Sequence, residues 1–170
     1  HANLSTGNNL TEAKLLKENA GVAFQGAIKV GAFDISGDIA REWLKQPNPN
    51  GQPNSNVVRP RCSGIDVVRR PSDSWIVDFG IGMNEEEAAL YELPFTHVVE
   101  NVKPFRMTVN RAGHKKYWWL FGEARIGLRQ ALQNHQRFIV TPCVSKYRLF
   151  IWMDASVLPD NATIAIARDD

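Results

Sequence analysis

The feature of this sequence that most constrains its fold is a change of hydrophobic period partway along the chain. Between Phe95 and Val109, apolar residues recur at intervals of three and four, the spacing that lines one face of an α-helix, and a further helix is expected over residues 123–133. From Arg137 onward, short apolar or alternating runs are separated by turn residues, which is typical of β-strands. Because helices and strands are segregated rather than strictly alternating, we expect an α+β fold, with short antiparallel or mixed sheet elements and several short helices packed around them.

Local signals place the individual elements. Helices are predicted over residues 11–19, 37–46, from 85 onward, 94–109 and 123–133, and strands over residues 22–33, 75–79, 137–144, 147–153 and 163–167. Ser36 and Asn84 are the expected N-caps of two of these helices. Pro104 should kink the fourth helix, because proline lacks the backbone N–H that a helix interior needs. The glycines at 21, 26 and 31 predict a bent strand that another backbone approaches closely.

The length and composition predict one soluble domain. A chain of 170 residues with 44% hydrophobic and 22% charged residues can bury a substantial core, and no apolar run approaches the roughly 18 residues that span a bilayer. Cys62 and Cys143 form neither a disulfide framework nor a metal-binding spacing, which suits a reducing cytoplasm. We interpret residues 1–9 as a tag or linker remnant, and residues 10–170 as one domain cut from a longer polypeptide.

Signatures of catalysis are sparse. No glycine-rich turn joins a strand to a helix, as a nucleotide or methyl-donor cofactor would need. The four histidines are scattered, and none has a His or Cys partner at zinc-ligand spacing. A Ser or Cys triad could still assemble from distant residues, but it has no local signature here. The acidic run at residues 85–87 is interpreted as a solvated helix cap. The sequence therefore predicts no catalytic residue, no metal and no cofactor in this fragment.

A basic, aromatic stretch is the strongest functional signal. Its cations, opposed only by Glu123, are Lys103, Arg106, Arg111, Lys115, Lys116, Arg125, Arg129 and Arg137. The aromatic residues among them are Tyr117, Trp118, Trp119 and Phe121. A second cluster contains Arg59, Arg61, Arg69 and Arg70. The net charge of +2 is too small to argue for nucleic acid alone, but two such clusters converging on one groove would bind a polyanion. The alternative is that the aromatic residues are core and the cations lie on a solvated face.

Several segments carry a resemblance to a known family. They are Ala23–Ile28, Val57–Pro60 with Gly64–Asp66, Trp75–Phe79, Val102–Arg106, Tyr117–Trp119, Gly127–Leu132, Val144–Lys146 with Phe150, and Ala165–Asp170. In this order and spacing they resemble the target recognition domain of MmeI-like type IIG (type IIL) restriction-modification enzymes. In that family a single polypeptide joins a nuclease, an adenine-N6 methyltransferase and a DNA-reading domain.

The resemblance implies a function without covalent chemistry in this fragment. The domain would read double-stranded DNA, while the methyltransferase domain of the same parent polypeptide flips the adenine and methylates it with S-adenosylmethionine. Together with the basic clusters, this predicts DNA contacts from Arg59, Arg61, Arg69, Arg70, Arg111, Lys115, Lys116, Arg125, Ser145, Lys146 and Arg148. The family's catalytic Asn or Asp-Pro-Pro-aromatic motif is absent and would lie upstream. Similar proteins continue past residue 170, so part of the base reading is expected outside these residues.

Two other classes of function stay open at this point. One is a protein-interaction or subunit-docking domain in which Trp118 and Trp119 form an exposed hot spot. The other is a small stand-alone enzyme, for which the sequence offers no residues to nominate.

Overall fold

A computed structural model of the chain describes Lys14, Lys17 and residues 20–168. The proposed linker at residues 1–9 lies outside the described residues, as does the helix predicted over residues 11–19 apart from those two lysines.

The described part of the chain contains short helices and two four-stranded sheets. The helices are α1 (Gly37–Trp43), α2 (Gly64–Val68), α3 (Glu85–Ala89), α4 (Glu92–Asn101), α5 (Lys103–Thr108), α6 (Ala112–Lys116) and α7 (Ile126–Leu132), with a 3₁₀ turn at Asn54–Asn56. The strands are β1 (Ala23–Gln25), β2 (Asp34–Ser36), β3 (Val58–Cys62), β4 (Ser74–Val77), β5 (Arg137–Pro142), β6 (Ile151–Asp154), β7 (Leu158–Pro159) and β8 (Thr163–Ile166). The α+β prediction is confirmed.

Each sheet joins sequence-distant strands. One has the order β1-β8-β5-β6 and is antiparallel throughout, with Val140 opposite Ala165 at its centre. The other has the order β2-β4-β3-β7 and is mixed, because β7 runs parallel to β3. The chain passes from the second sheet to the first within the few residues between β7 and β8. This short crossing ties the two sheets together.

Two apolar clusters form the core. The larger contains Phe33, Val57, Val77 and Val98, all fully buried, and extends to the aromatic residues after α6. The smaller is centred on Phe138 and Val140 of β5. Alternation along β5 puts both side chains on one face, as a period of two requires.

Local capping explains two of the helix starts. The Ser36 side chain accepts a hydrogen bond from the Ile39 N–H at the start of α1, and Asn84 accepts one from the Glu87 N–H at the start of α3. Glu87 also accepts from the backbone N–H of Asn84, which completes a capping box. Both predicted N-caps are confirmed.

The helix predictions need correction in several places. The helix expected from residue 94 begins at Glu92 and is divided at Val102 into α4 and α5 rather than kinked. Pro104, which cannot donate an N–H, lies in the first turn of α5, where no donor is needed. Helices α2 and α6 have no counterpart among the predicted elements. The helix predicted over residues 123–133 is shortened to α7, where Ile126 is 53% exposed and Leu128 is buried.

The strand predicted over residues 22–33 is confined to β1, and of its three glycines Gly26 is the one that another backbone approaches closely. A Cβ at Gly26 would lie 2.1 Å from the carbonyl oxygen of Asp160, so only glycine fits there. The N–H of Ala27 donates to the Pro159 carbonyl at 2.9 Å. This contact packs the segment after β1 against β7, where the two sheets meet.

Candidate nucleic-acid interface

Arg59 and Arg129 converge on a buried carboxylate, Asp78, which follows β4. Arg129 donates to both Asp78 oxygens at 2.9 Å, and Arg59 lies 3.7 Å from one of them. Arg59 also donates to the Ser156 and Ala155 carbonyls. Burial lowers the pKa of Arg59, an effect that Asp78 opposes. The two arginines line a cavity of about 280 Å³ between α7 and the β6–β7 connection, so members of the two predicted basic clusters do meet, around an internal counter-ion.

Arg61 bridges two other carboxylates. Its guanidinium donates to Asp34 at 2.8 Å and to Asp160 at 2.9 Å. Lys29 also pairs with Asp34. Burial, reinforced by the charge of Arg61, lowers the pKa of Lys29 to about 8. Since Asp34 starts β2 and Asp160 follows β7, Arg61 ties opposite edge strands of one sheet to its centre.

Arg125 is similarly engaged. It pairs with Glu123 at 2.9 Å and donates to the Gln25 side chain at 2.8 Å. Its backbone is left-handed, with φ 53°, at the residue that caps α7. These contacts hold the start of α7 against β1. Three of the predicted DNA contacts, Arg59, Arg61 and Arg125, are thus part of the internal framework.

A second group of predicted contact residues lies in and beside the β5–β6 connection (residues 143–150), where Lys146 and Arg148 are exposed and Ser145 is half-buried. Ser145, Lys146 and Arg148 belong to this connection, and the Ser145 hydroxyl donates to the carbonyl of Tyr147. Arg69, at the end of α2, lines the same cavity of about 360 Å³ as Val144, which is 90% exposed. The fold thereby brings the second basic cluster, through Arg69 and the adjacent Arg70, next to this connection.

A third group lies on and before α6. Arg111, Lys115 and Lys116 are exposed, as is Tyr117 at the end of the helix. The Lys116 ammonium lies 5.1 Å from the Tyr117 ring centroid, within range of a cation–π contact. With so many cations close together, α6 presents a positive surface.

The exposed cations differ from the internal arginines in their relation to the carboxylates of the described residues. Within residues 20–168, no carboxylate lies within ion-pair distance of seven of the predicted contacts, namely Arg69, Arg70, Arg111, Lys115, Lys116, Lys146 and Arg148. A surface that keeps its cations unpaired is suited to a polyanion.

The aromatic residues after α6 belong to the core. Trp118, Trp119 and Phe121 are all buried, and the Trp119 indole N–H donates to the Met83 carbonyl at 2.9 Å. The alternative in which the two tryptophans form an exposed hot spot for a partner protein is therefore wrong.

Sequence reasoning missed an exposed stack on the first sheet. The guanidinium of Arg137 lies 4.1 Å from the ring centroid of Trp152, whose side chain is partly exposed. The two residues are diagonal neighbours, because Ile139 is the partner of Trp152 and Arg137 that of Asp154. Because side chains alternate between the two faces of a strand, the predicted strands could have indicated that Arg137 and Trp152 lie on the same face of the sheet.

Other classes of site receive no support from the described residues. Within them, no group of three or more His, Cys, Asp or Glu side chains could hold a metal ion. Each helix of residues 20–168 is too short or too polar to cross a bilayer.

Comparison with known proteins identifies a similar fold. No protein-family model and no curated protein sequence matches the chain. Among solved structures, the chain is similar to the type IIL restriction-modification enzyme MmeI in complex with DNA, with a TM-score of 0.66 and 16% sequence identity. The match covers 93% of this chain and 20% of the enzyme. The chain thus spans about a fifth of that enzyme and shares the fold of the matched part.

Proposed function

We propose that this chain binds double-stranded DNA as the target recognition module of a restriction-modification DNA adenine methyltransferase. The observation that carries the proposal is the set of seven exposed cations with no carboxylate partner in the described part of the chain. Supporting it is the likeness in fold to part of an enzyme whose structure was solved with DNA.

The proposal assigns different tasks to the two exposed groups. Lys115 and Lys116 are flexible point charges on a helix, which suits them to phosphate contacts that set register. Arg148 and Ser145 lie on the connection between β5 and β6, where Arg148 is exposed, and a guanidinium can donate to O6 and N7 of guanine together. For Arg59, Arg61 and Arg125, which are already paired, DNA contact stays a prediction.

The chemistry is proposed to lie elsewhere in the parent polypeptide. A methyltransferase domain would bind S-adenosylmethionine and transfer its methyl group to an adenine. This module would hold the flanking duplex and determine which adenine is presented. That methyltransferase domain is accordingly a proposed partner of this one.

Salt dependence tests the DNA-binding proposal. Affinity for a 20-bp duplex, measured by fluorescence anisotropy between 50 and 200 mM salt, should fall steeply, because bound cations release counter-ions from the phosphates. Lys115→Ala with Lys116→Ala should flatten the slope of log K against log salt by about 2, since each phosphate contact contributes about 0.9. Lys45→Ala, which removes an exposed lysine outside the candidate groups, is the control.

Two results would contradict the proposal: no measurable binding at low salt, or an affinity that salt does not change. Sequence reading is tested separately. Arg148→Ala should relax preference at one base pair by about 1–3 kcal/mol, whereas the lysine changes should weaken all duplexes alike. If every substitution weakened the binding of all duplexes equally, the chain would bind DNA without reading its sequence.

A further inference from the structure

Three aromatic side chains are exposed close together in sequence, in the β5–β6 connection and in β6. Tyr147 is 67% exposed, Phe150 is 60% exposed, and Trp152 of β6 is partly exposed. Within residues 20–168, none of these three rings contacts another aromatic ring, and none belongs to either apolar cluster of the core. Exposed apolar side chains that cluster, unlike single ones, mark a surface that binds a partner.

Cations accompany these rings. The Lys146 ammonium lies 5.2 Å from the Tyr147 ring centroid, and the Arg137 guanidinium lies 4.1 Å from that of Trp152. Arg148, next to Tyr147 in the sequence, is exposed. The sequence contains no Asp or Glu from residue 124 to residue 153. Every formal charge along this segment is therefore positive.

The fold adds a further cation from a distant part of the sequence. Arg69, at the end of α2, lines the same cavity as Val144 of the β5–β6 connection. Arg69, Lys146 and Arg148 are among the cations that have no carboxylate within ion-pair distance in the described part of the chain. Exposed rings and unpaired cations thus share one surface, whose charge complements a polyanion.

Nucleic acid supplies both of the chemical groups that complement this surface. Its phosphates match the cations, and the face of any base stacks on an aromatic ring. In a paired duplex the neighbouring bases cover those faces, so only an unstacked base can offer one. The Cα atoms of Tyr147 and Phe150 are at most about 11 Å apart, because only three residues of chain separate them. Both rings therefore lie within reach of one short stretch of strand.

We propose that the β5–β6 connection stacks bases that have left the DNA helix, with Tyr147 and Phe150 as the stacking rings and Lys146 as a phosphate contact. The inference rests on the proposed function and deepens it, because an enzyme that modifies an adenine takes it out of the stack and leaves the opposite base unpaired. That unpaired base is the ligand of this surface. An acidic protein partner, the competing occupant, would meet the cations without requiring a ring.

Duplexes with and without an unpaired base test the inference. The affinity of the chain for a 20-bp duplex that carries a single bulged thymine is compared with its affinity for the fully paired duplex, by fluorescence anisotropy at constant salt. Stacking of one base on an aromatic ring changes affinity by at least about five-fold. We therefore expect the bulged duplex to bind at least about five-fold more tightly than the paired one.

Substitutions separate the ring from its apolar area. Tyr147→Leu combined with Phe150→Leu keeps much of the apolar area but removes both rings, and it should lower the preference to less than about two-fold. Phe150→Tyr keeps a ring and should preserve the preference. Phe105→Leu removes an exposed ring of α5 and is the matched control, which should leave the preference unchanged. All three positions are exposed, so the variants should fold.

The alternative outcomes are distinct. Salt-dependent binding of the paired duplex without a preference for the bulge would overturn the inference and leave the DNA-binding function intact. Equal losses from Phe150→Leu and Phe150→Tyr would show that the ring has no part, which also overturns it. Binding of the bulged duplex alone would support the stacking surface and contradict recognition of intact duplex. If neither duplex binds at low salt, both proposals are wrong, and an acidic protein becomes the favoured occupant.

Discussion

Neutralising Asp78 should destabilise the protein strongly. The Asp78 side chain is 2% exposed, and Arg129, which donates to both of its oxygens, is 17% exposed. Removing one member of a buried ion pair costs about 3–5 kcal/mol, because the other charge stays buried without compensation. Asp78→Asn keeps an oxygen for the Gly80 N–H, which donates at 3.0 Å, so the main loss is the charge opposite Arg129 and Arg59.

An exposed pair supplies the matched control. Arg41 donates to both oxygens of Asp73, at 3.2 and 2.9 Å, but the two side chains are 50% and 55% exposed. Asp73→Asn should therefore destabilise the protein much less than Asp78→Asn, because solvent screens an exposed pair. Asparagine also tolerates the positive φ of 52° at this position.

Equilibrium unfolding in urea, followed by tryptophan fluorescence, measures the difference. With a slope of about 2 kcal/mol per molar urea, Asp78→Asn should lower the urea midpoint by about 1.5–2.5 M, and Asp73→Asn should lower it much less. Adding Arg129→Met to Asp78→Asn should restore part of the loss, because it removes an uncompensated charge. Equal midpoints for the two single variants would refute the assignment of Asp78 as a buried counter-ion.

Three further predictions concern the framework. Gly26→Ala should destabilise the protein by about 1–3 kcal/mol in thermal or urea unfolding, because its Cβ would lie 2.1 Å from the Asp160 carbonyl oxygen, whereas Gly82→Ala, with no atom within 4 Å, should be nearly neutral. Equal effects of the two changes would argue against the close approach. Cys62 should react slowly with Ellman's reagent, because burial raises the pKa of its thiol to about 12. In Cys143→Ser at pH 8 we expect a rate at least about a thousand-fold below that of free cysteine, recovered in denaturant, and fast labelling of the folded variant would contradict this. Pro104→Ala should change the free energy of unfolding by less than about 0.5 kcal/mol, since Pro104 lies in the first turn of α5. A loss above about 2 kcal/mol would show that Pro104 has another role.

The fold was predictable wherever the determinant is local. Ser36 and Asn84 cap helices because the cap and the N–H that it accepts from are three residues apart. The bend at Gly26 was visible as a glycine within an apolar run, although its partner, Asp160, was not. Helix α6 was missed because its five residues contain no apolar period to read.

From the sequence, the candidate site could be predicted only as an excess of basic residues, without knowing which of them are exposed. On this basis Arg59 and Lys115 were both predicted to contact DNA. In the folded chain, Arg59 lies within ion-pair distance of Asp78, and Arg61 pairs with Asp160, which is 99 residues away in the sequence. Lys115, by contrast, has no carboxylate within ion-pair distance in the described part of the chain.

The sequence by itself determined the α+β class, the helix caps and the position of most strands, because periodicity and capping act over a few residues. The tertiary structure alone decided which cations are internal and which are exposed, and that Trp118 and Trp119 are core. Those outcomes depend on which distant residues the two sheets bring together. An ion pair or a cavity wall forms between chain segments whose separation in sequence carries no information about their distance in space.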